Sequence, residues 1–255
     1  MSSILIELLQ KAVAKPSRML MRDHMELAHL QYNKDVSRFV ESSVGRIKQN
    51  MHKFFEEERE IKVLFSDEIE SLHEYENEEE LCIINPIEGI KNFGTALPFF
   101  GVVLFMRQKG RNATSACVID FPALQQTMYA SEEEGAWITQ SLPHLTTQKL
   151  KCPKRAQKAY RKEVVICSNN PKDKEEYNAT ELLNFGSLTY SALCMFRNSI
   201  SACFATKIDL VTKKALELMT KEYGGQVMNT KDEKFGIYLD KIHTKDVLTL
   251  SCKAL

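Results

Sequence analysis

The apolar positions at the start of the chain predict two amphipathic helices. Over residues 3–30 they recur at roughly helical spacing, with Pro16 placed to introduce a kink. Over residues 36–55 the spacing is cleaner, and one apolar stripe of this kind predicts a helix that ends at the acidic run 56–60. The stripe comprises Val36, Phe39, Val40, Val44, Ile47, Met51, Phe54 and Phe55.

Short apolar runs separated by turn-forming residues predict strands over most of the remaining chain. The predicted strands are 61–65, 81–85, 99–106, 114–120, 125–131, 163–168, 200–205, 226–228, 235–239 and 247–251. Helical spacing recurs over residues 182–196. A further helix is expected to begin at Asp209 as N-cap and to end at Gly224 and Gly225.

Helices and strands alternate without a regular strand–helix–strand rhythm, which predicts a layered α+β fold rather than a doubly wound sheet. The succession of predicted strands is interrupted near residue 145, where Pro143 and Pro153 flank the change. We therefore expect an N-terminal α+β lobe over residues 1–145 and a C-terminal α/β lobe over residues 146–255.

Composition narrows the class of protein. The 255 residues are 44% hydrophobic and 27% charged, which is ordinary for a globular chain. Lys plus Arg and Asp plus Glu both number 34, so bulk charge does not indicate a general polyanion binder. The seven cysteines are widely spaced and form no CxxC pair, which argues against a disulfide framework or a structural zinc site. With no apolar run approaching a membrane span, we expect a reduced, cytoplasmic protein.

A basic segment over residues 149–162 has two interpretations. It is either a solvated connector between lobes or a contact surface for nucleic acid or an acidic protein, with Tyr160 among the basic residues. Its seven basic residues are Lys149, Lys151, Lys154, Arg155, Lys158, Arg161 and Lys162. The acidic residues 56–80 read as a solvated loop, and the six scattered histidines as surface or packed side chains.

The segment NPIEGIKNF over residues 85–93 carries the most chemistry. An apolar strand enters a Pro/Gly turn that bears Glu88, and the backbone amides after it, at Gly89 and Ile90, are suited to bind an anion. Asp67 follows another strand, and Asp209 begins a helix. Acids that converge at element ends form oxygen-ligated magnesium sites, although such acids also serve as ordinary turn and cap residues.

This segment resembles the DP(I/L)DGTxNF motif of the inositol monophosphatases, especially the bacterial ones. Further resemblances follow the family's order over most of the chain, at residues 34–44, 67–68, 96–102, 185–190, 208–213 and 222–225. The resemblance implies a layered αβαβα sandwich, a homodimer and a magnesium-dependent phosphatase ancestry.

The resemblance implies that the magnesium ligands are the side chains of Asp67, Asn85, Glu88 and Asp209 and the carbonyl of Ile87. Asp67 is one methylene shorter than the family's glutamate, and Glu88 is one longer than its aspartate. Asn85 is neutral where the family has a carboxylate shared between two ions. Because magnesium demands near-octahedral oxygen ligands at about 2.0–2.1 Å, we expect weak binding.

The positions that activate water in the family are also changed. Ile90 stands at its threonine and Val44 at its aspartate, and neither side chain can accept or relay a proton. The family's substrate-binding glutamate falls near Ala205. We expect a degenerate site in a protein kept for a binding role, with RNA or transcription machinery as partners. The alternative is a magnesium phosphatase of altered specificity that uses Asp67, Glu88 and Asp209.

Overall fold

The computed structural model describes residues 4–30, 35–59, 61–68, 75, 77–110, 113–152, 165–229 and 234–238. The helices are α1 (Ile4–Leu30), α2 (Val36–Arg59), α3 (Ile90–Gly94), α4 (Asp173–Glu176), α5 (Leu188–Phe196) and α6 (Leu210–Tyr223). The first strands are β1 (Lys62–Phe65), β2 (Glu80–Glu88), β3 (Gly101–Gln108), β4 (Thr114–Phe121), β5 (Gln126–Ser131), β6 (Gly135–Gln140) and β7 (Thr146–Leu150). The later strands are β8 (Val165–Cys167), β9 (Glu181–Leu183), β10 (Ala202–Thr206), β11 (Gln226–Asn229) and β12 (Lys234–Tyr238).

The strands form two sheets. The first has seven strands in chain order, with β1 parallel to β2 and every later neighbour antiparallel. The second has five strands in the order β11-β12-β10-β8-β9. Strand β8 runs parallel to both β9 and the central strand β10, whereas β12 is antiparallel to β10 and β11.

Helices cover both faces of the first sheet. Alternate residues of β3 divide between two cores: Val102 and Leu104 pack with α1 and α2, while Val103 packs with α5 and α6. Burial of both faces explains why this strand is a continuous apolar run rather than an alternating one. The second sheet packs on the other side of α5 and α6, and α4 lies beside β9. The predicted α+β, αβαβα layering is confirmed.

Several predicted boundaries differ from the structure. Helix α2 continues through the exposed Glu56–Glu58 run to Arg59, because glutamate is a good helix former. The helical pattern over 182–196 was wrong in its first part, where residues 181–183 form β9 and pair with β8. Gly186 has φ 68°, and Ser187 caps the helix, so α5 begins only at Leu188.

The last predicted strand and the lobe boundary stay predictions. The predicted strand 247–251 lies outside the described residues. The lobe boundary near 145 stays a prediction; β7, the last strand of the first sheet, begins at Thr146 just after it and pairs with β6. Within the described ranges, no helix combines the length and the apolar character needed to cross a membrane.

Candidate functional site

The end of β2 and the start of α3 form the centre of the candidate site. The pairing of β2 with β3 is regular up to Asn85 and then shifts before Glu88. Gly89 turns the chain into α3 with φ 75°, and a Cβ atom there would lie 2.6 Å from the carbonyl oxygen of Phe99. Only glycine satisfies both the left-handed backbone and this close approach, so the predicted turn at Gly89 is present.

The carboxylate of Glu88 is held by the N-terminus of α5. It accepts hydrogen bonds from the hydroxyls of Ser187 and Thr189 and, at 2.9 Å, from the backbone N–H of Leu188. Burial raises the pKa of Glu88, these three hydrogen bonds oppose the rise, and the nearby charge of Asp209 adds to it. Ser187 and Thr189 were not predicted as site residues, although the capping pattern at Ser187 is readable from the sequence.

Asn85 connects β2 to the start of α6. Its Nδ2 atom donates to Oδ2 of Asp209 at 3.1 Å and lies 3.4 Å from the hydroxyl of Thr212. Its Oδ1 atom accepts the backbone N–H of Ile87 at 3.2 Å. Asp209 caps α6 as predicted, because its Oδ1 atom accepts the N–H of Thr212 at 2.9 Å. Two of the predicted ligand residues, 124 positions apart, are thus in direct contact.

Asp67 has a different partner. Both of its carboxylate oxygens lie 2.6 Å from the ammonium nitrogen of Lys48, which belongs to α2. The same nitrogen lies 3.4 Å from Oε1 of Glu68, whose Oε2 accepts the N–H of Phe65. In the described part of the chain, no hydrogen bond or ion pair joins Asp67 to Asn85, Glu88 or Asp209. Lys48 was not predicted as a site residue.

The predicted water-activating positions carry only hydrocarbon. Val44 is half-buried on α2 and packs against the core between α1, α2 and the first sheet. Ile90 is the first residue of α3 and leaves 46% of its surface exposed. Among the described residues, no group of three or more His, Cys, Asp and Glu side chains is arranged to hold a metal ion.

A cavity of about 240 Å³ opens beside these residues. Glu88, Asp209 and Thr212 line it together with the start of α5, and Ala205 and Lys207 lie on its β10 side. Ala205, the position predicted for the substrate contact, therefore lines the cavity, but its side chain is only a methyl group. The loops that follow β8 and β9 add the polar side chains of Ser168, Asn169 and Asn184 to its lining.

The basic segment is described only at its start. The ammonium group of Lys149 donates to the carbonyl of Glu134 at 3.1 Å and lies 5.2 Å from the centre of the Trp137 ring. Lys151 is exposed just after β7. The remaining basic residues lie outside the described residues; they are Lys154, Arg155, Lys158, Arg161 and Lys162.

Comparison with sequences gave one limited likeness. No family model matches the chain. The fructose-1,6-bisphosphatase/inositol-1-monophosphatase of Thermotoga maritima is 38% identical over 80 residues. That match spans 31% of this chain and 30% of the curated protein.

Comparison with solved structures extends over nearly the whole chain. The extragenic suppressor protein SuhB from Bartonella henselae has a TM-score of 0.70 at 16% identity, covering 93% of this chain and 94% of that one. Inositol monophosphatase II of Staphylococcus aureus has a TM-score of 0.69 at 14% identity, with 93% and 91% covered. A Thermotoga maritima IMPase has a TM-score of 0.66 at 20% identity, with 94% and 92% covered. The chain therefore has the inositol monophosphatase fold, and the resemblance indicated by its motifs is confirmed.

Proposed function

We propose that this chain is an inositol-monophosphatase-like protein whose magnesium phosphatase site is degenerate and which is retained for a binding role. The observation that carries the proposal is the carboxamide of Asn85. It stands where the resemblance implies a carboxylate shared between two ions, and its Nδ2 group donates to Asp209. An N–H group directed at a ligand carboxylate occupies a direction that a cation would need.

The other predicted ligands fit magnesium poorly. The ammonium group of Lys48 contacts both oxygens of Asp67, and Glu88 already accepts three hydrogen bonds from α5. Magnesium dehydrates reluctantly and needs oxygen ligands at about 2.0–2.1 Å in near-octahedral directions. The donor set does not provide them, so the proposed function includes no magnesium-assisted step.

The loss of water activation supports the same proposal. General-base catalysis typically contributes about 10²–10⁴-fold, and it requires a group that takes a proton from the attacking water. The side chains of Val44 and Ile90 contain no such group. Metal binding and water activation are thus weakened together, at positions on three different elements.

A second function is favoured by one observation. Glu88 and Asp209 both line the 240 Å³ cavity, so two of the carboxylates named for a magnesium site face one space. On this alternative the chain is a magnesium-dependent phosphatase acting on an inositol or sugar phosphate of altered shape. Asp67 would then have to exchange its partner Lys48 for the ion.

The two functions are separated by assaying phosphate release from a panel of inositol and sugar monophosphates with magnesium present. Asp209→Asn is the matched control, because asparagine keeps the helix cap but removes the ligand charge. We expect the unmodified chain to release no more phosphate than this control. Hydrolysis of inositol monophosphate at an ordinary enzymatic rate, abolished in the control, would establish the alternative.

The binding role is proposed to involve a homodimer and an RNA or transcription partner, as the family resemblance of the sequence suggests. The basic residues of segment 149–162 are the proposed contact, which would neutralise backbone phosphates. Replacing Lys154, Arg155 and Lys158 by glutamine should weaken binding to single-stranded RNA and reduce its salt dependence. Unchanged binding in that variant would leave the segment as a connector.

A further inference from the structure

We propose that the ammonium group of Lys48 is a built-in cation that replaces a divalent ion at Asp67. It neutralises the carboxylate, fixes the end of β1 against α2, and excludes metal from this position. The inference rests on the proposed function and deepens it, because it identifies what compensates the charge once magnesium is no longer bound.

The geometry of Lys48 differs from that of an ordinary surface ion pair. Its nitrogen is 2.6 Å from each carboxylate oxygen of Asp67, and its side chain is only 19% exposed, although that of Asp67 is 65% exposed. It also lies 4.9 Å from the centre of the Phe65 ring, the residue that ends β1. Lys53, on the same helix, is 3.6 Å from Glu57, and both of those side chains are largely exposed.

These contacts hold the lysine in place from three sides. The ammonium group lies over the Phe65 ring and also reaches Asp67 and, at 3.4 Å, Glu68. A cation over an aromatic face is attracted by the ring quadrupole, and packing reduces the entropy lost when the charged group is fixed. The lysine side of the ion pair is therefore preorganised, whereas in a pair between two mobile surface chains neither side is.

A divalent ion and this ammonium group compete for the same two oxygens. Two positive charges on one carboxylate repel each other strongly at contact distance, so an entering ion would have to displace Lys48 from Asp67 and from Phe65. Lys48 follows Val44 by four residues and thus lies on the same face of α2. That helix face carries an alkyl group at Val44, where the resemblance implies an aspartate, and a cation one turn later.

The test compares Lys48→Met with Lys53→Met, which removes an exposed lysine from the same helix. Thermal unfolding is followed with and without millimolar magnesium chloride. We expect Lys48→Met to melt at a lower temperature without magnesium and to recover part of the loss with it. The unmodified chain and Lys53→Met should not respond to the ion. Recovery should disappear in Lys48→Met combined with Asp67→Asn.

A second measurement includes metal binding by the unmodified chain, whose folding no substitution alters. Manganese binding to the unmodified chain is titrated by electron paramagnetic resonance, with Asp67→Asn as control. We expect both proteins to bind manganese equally weakly, and Lys48→Met to bind it about tenfold more tightly because the repelling charge is gone. Manganese binding by the unmodified chain that is lost in Asp67→Asn, or a Lys48→Met variant whose melting ignores magnesium, overturns the inference.

These outcomes are distinguishable from failure of the proposed function. Phosphatase activity that survives Asp67→Asn would overturn the degenerate site while leaving the role of Lys48 intact. Metal binding at Asp67 without phosphatase activity would overturn the role of Lys48 while leaving the degenerate site intact.

Discussion

The carboxylate of Glu88 accepts hydrogen bonds from three donors at the start of α5, and its length is what allows this. The aspartate implied at this position by the family resemblance would end about 1.5 Å earlier. The longer side chain reaches hydroxyls on a neighbouring element, where the positive end of the α5 dipole also favours a negative charge. The extra methylene group thus gives this carboxylate three protein donors at a position where the resemblance implies a magnesium ligand.

Glycines give the sharpest prediction at the residue scale. Gly89 has φ 75° and no room for a Cβ, whereas a Cβ on Gly45 in the middle of α2 would meet nothing within 4 Å. Gly89→Ala should therefore lower the free energy of unfolding by about 1–3 kcal/mol. Gly45→Ala should raise it by about 0.5–1 kcal/mol, because alanine loses less backbone entropy in a helix. Urea denaturation measures both, and equal effects of the two substitutions would contradict the assignment of strain to Gly89.

At the scale of elements, the sequence was most informative where a pattern is local. The apolar stripe of α2 and the Asp209 cap of α6 depend only on residues within the same helix, and both were predicted correctly. The prediction of a helix over 182–196 was wrong in its first turn, because residues 181–183 form a strand that pairs with β8. Helical spacing along the sequence cannot reveal such a contact. Lys48 was missed for the same reason, since its partner lies on another element.

Asp120 connects β4 to α1 and β5, and its burial leads us to expect that the free energy of unfolding depends on pH. Its buried carboxylate on β4 accepts hydrogen bonds from Ser17 of α1 and Thr127 of β5. Burial raises the pKa of Asp120, and the two hydrogen bonds oppose that rise. With a folded-state pKa above the unfolded one, its contribution to stability is fully present below the unfolded pKa and is lost as pH rises through the folded pKa.

Asp120→Asn removes this dependence, because asparagine stays neutral in both states. We expect the free energy of unfolding of the variant, relative to the unmodified chain, to increase as pH rises from below the unfolded pKa towards neutrality. Glu41→Gln, which removes an exposed carboxylate from α2, controls for the change in net charge. Urea titrations across this pH range measure the difference, and a difference that stays constant with pH would be inconsistent with a buried, titrating Asp120.

At the scale of the whole molecule, the candidate site draws on α2, β1, β2, α3, α5 and α6. Asn85 and Asp209 were predicted to lie together because the order of the motifs resembles a family of known fold. No local pattern in this chain could have predicted that contact alone. The contacts made by Lys48, Ser187 and Thr189 are absent from that argument, since each joins side chains on different elements and no motif specifies them. The fold was thus more predictable than the partners of the individual side chains.

Because the site is spread over these elements, its repair should be strongly non-additive. Val44→Asp with Ile90→Thr restores groups that can activate water, but no well-held ion would be present to orient it, so phosphatase activity should not change. Asn85→Asp with Glu88→Asp should recover ion binding, measured by calorimetry, but only feeble turnover. A bound metal contributes several kcal/mol of charge stabilisation, yet it needs a positioned nucleophile to act.

The combination of these four substitutions with Asp67→Glu should exceed the product of the two partial repairs. Residues that act as a unit in catalysis lose most of their effect when any one is missing, so restoring them together yields more than the separate gains. Phosphate release from inositol monophosphate under magnesium measures each variant, and far-ultraviolet circular dichroism confirms that each retains the fold. A combined variant no more active than Asn85→Asp with Glu88→Asp would mean that water activation is not what the chain lacks. In that case the ammonium group of Lys48, still paired with the carboxylate at position 67, is the next group to remove.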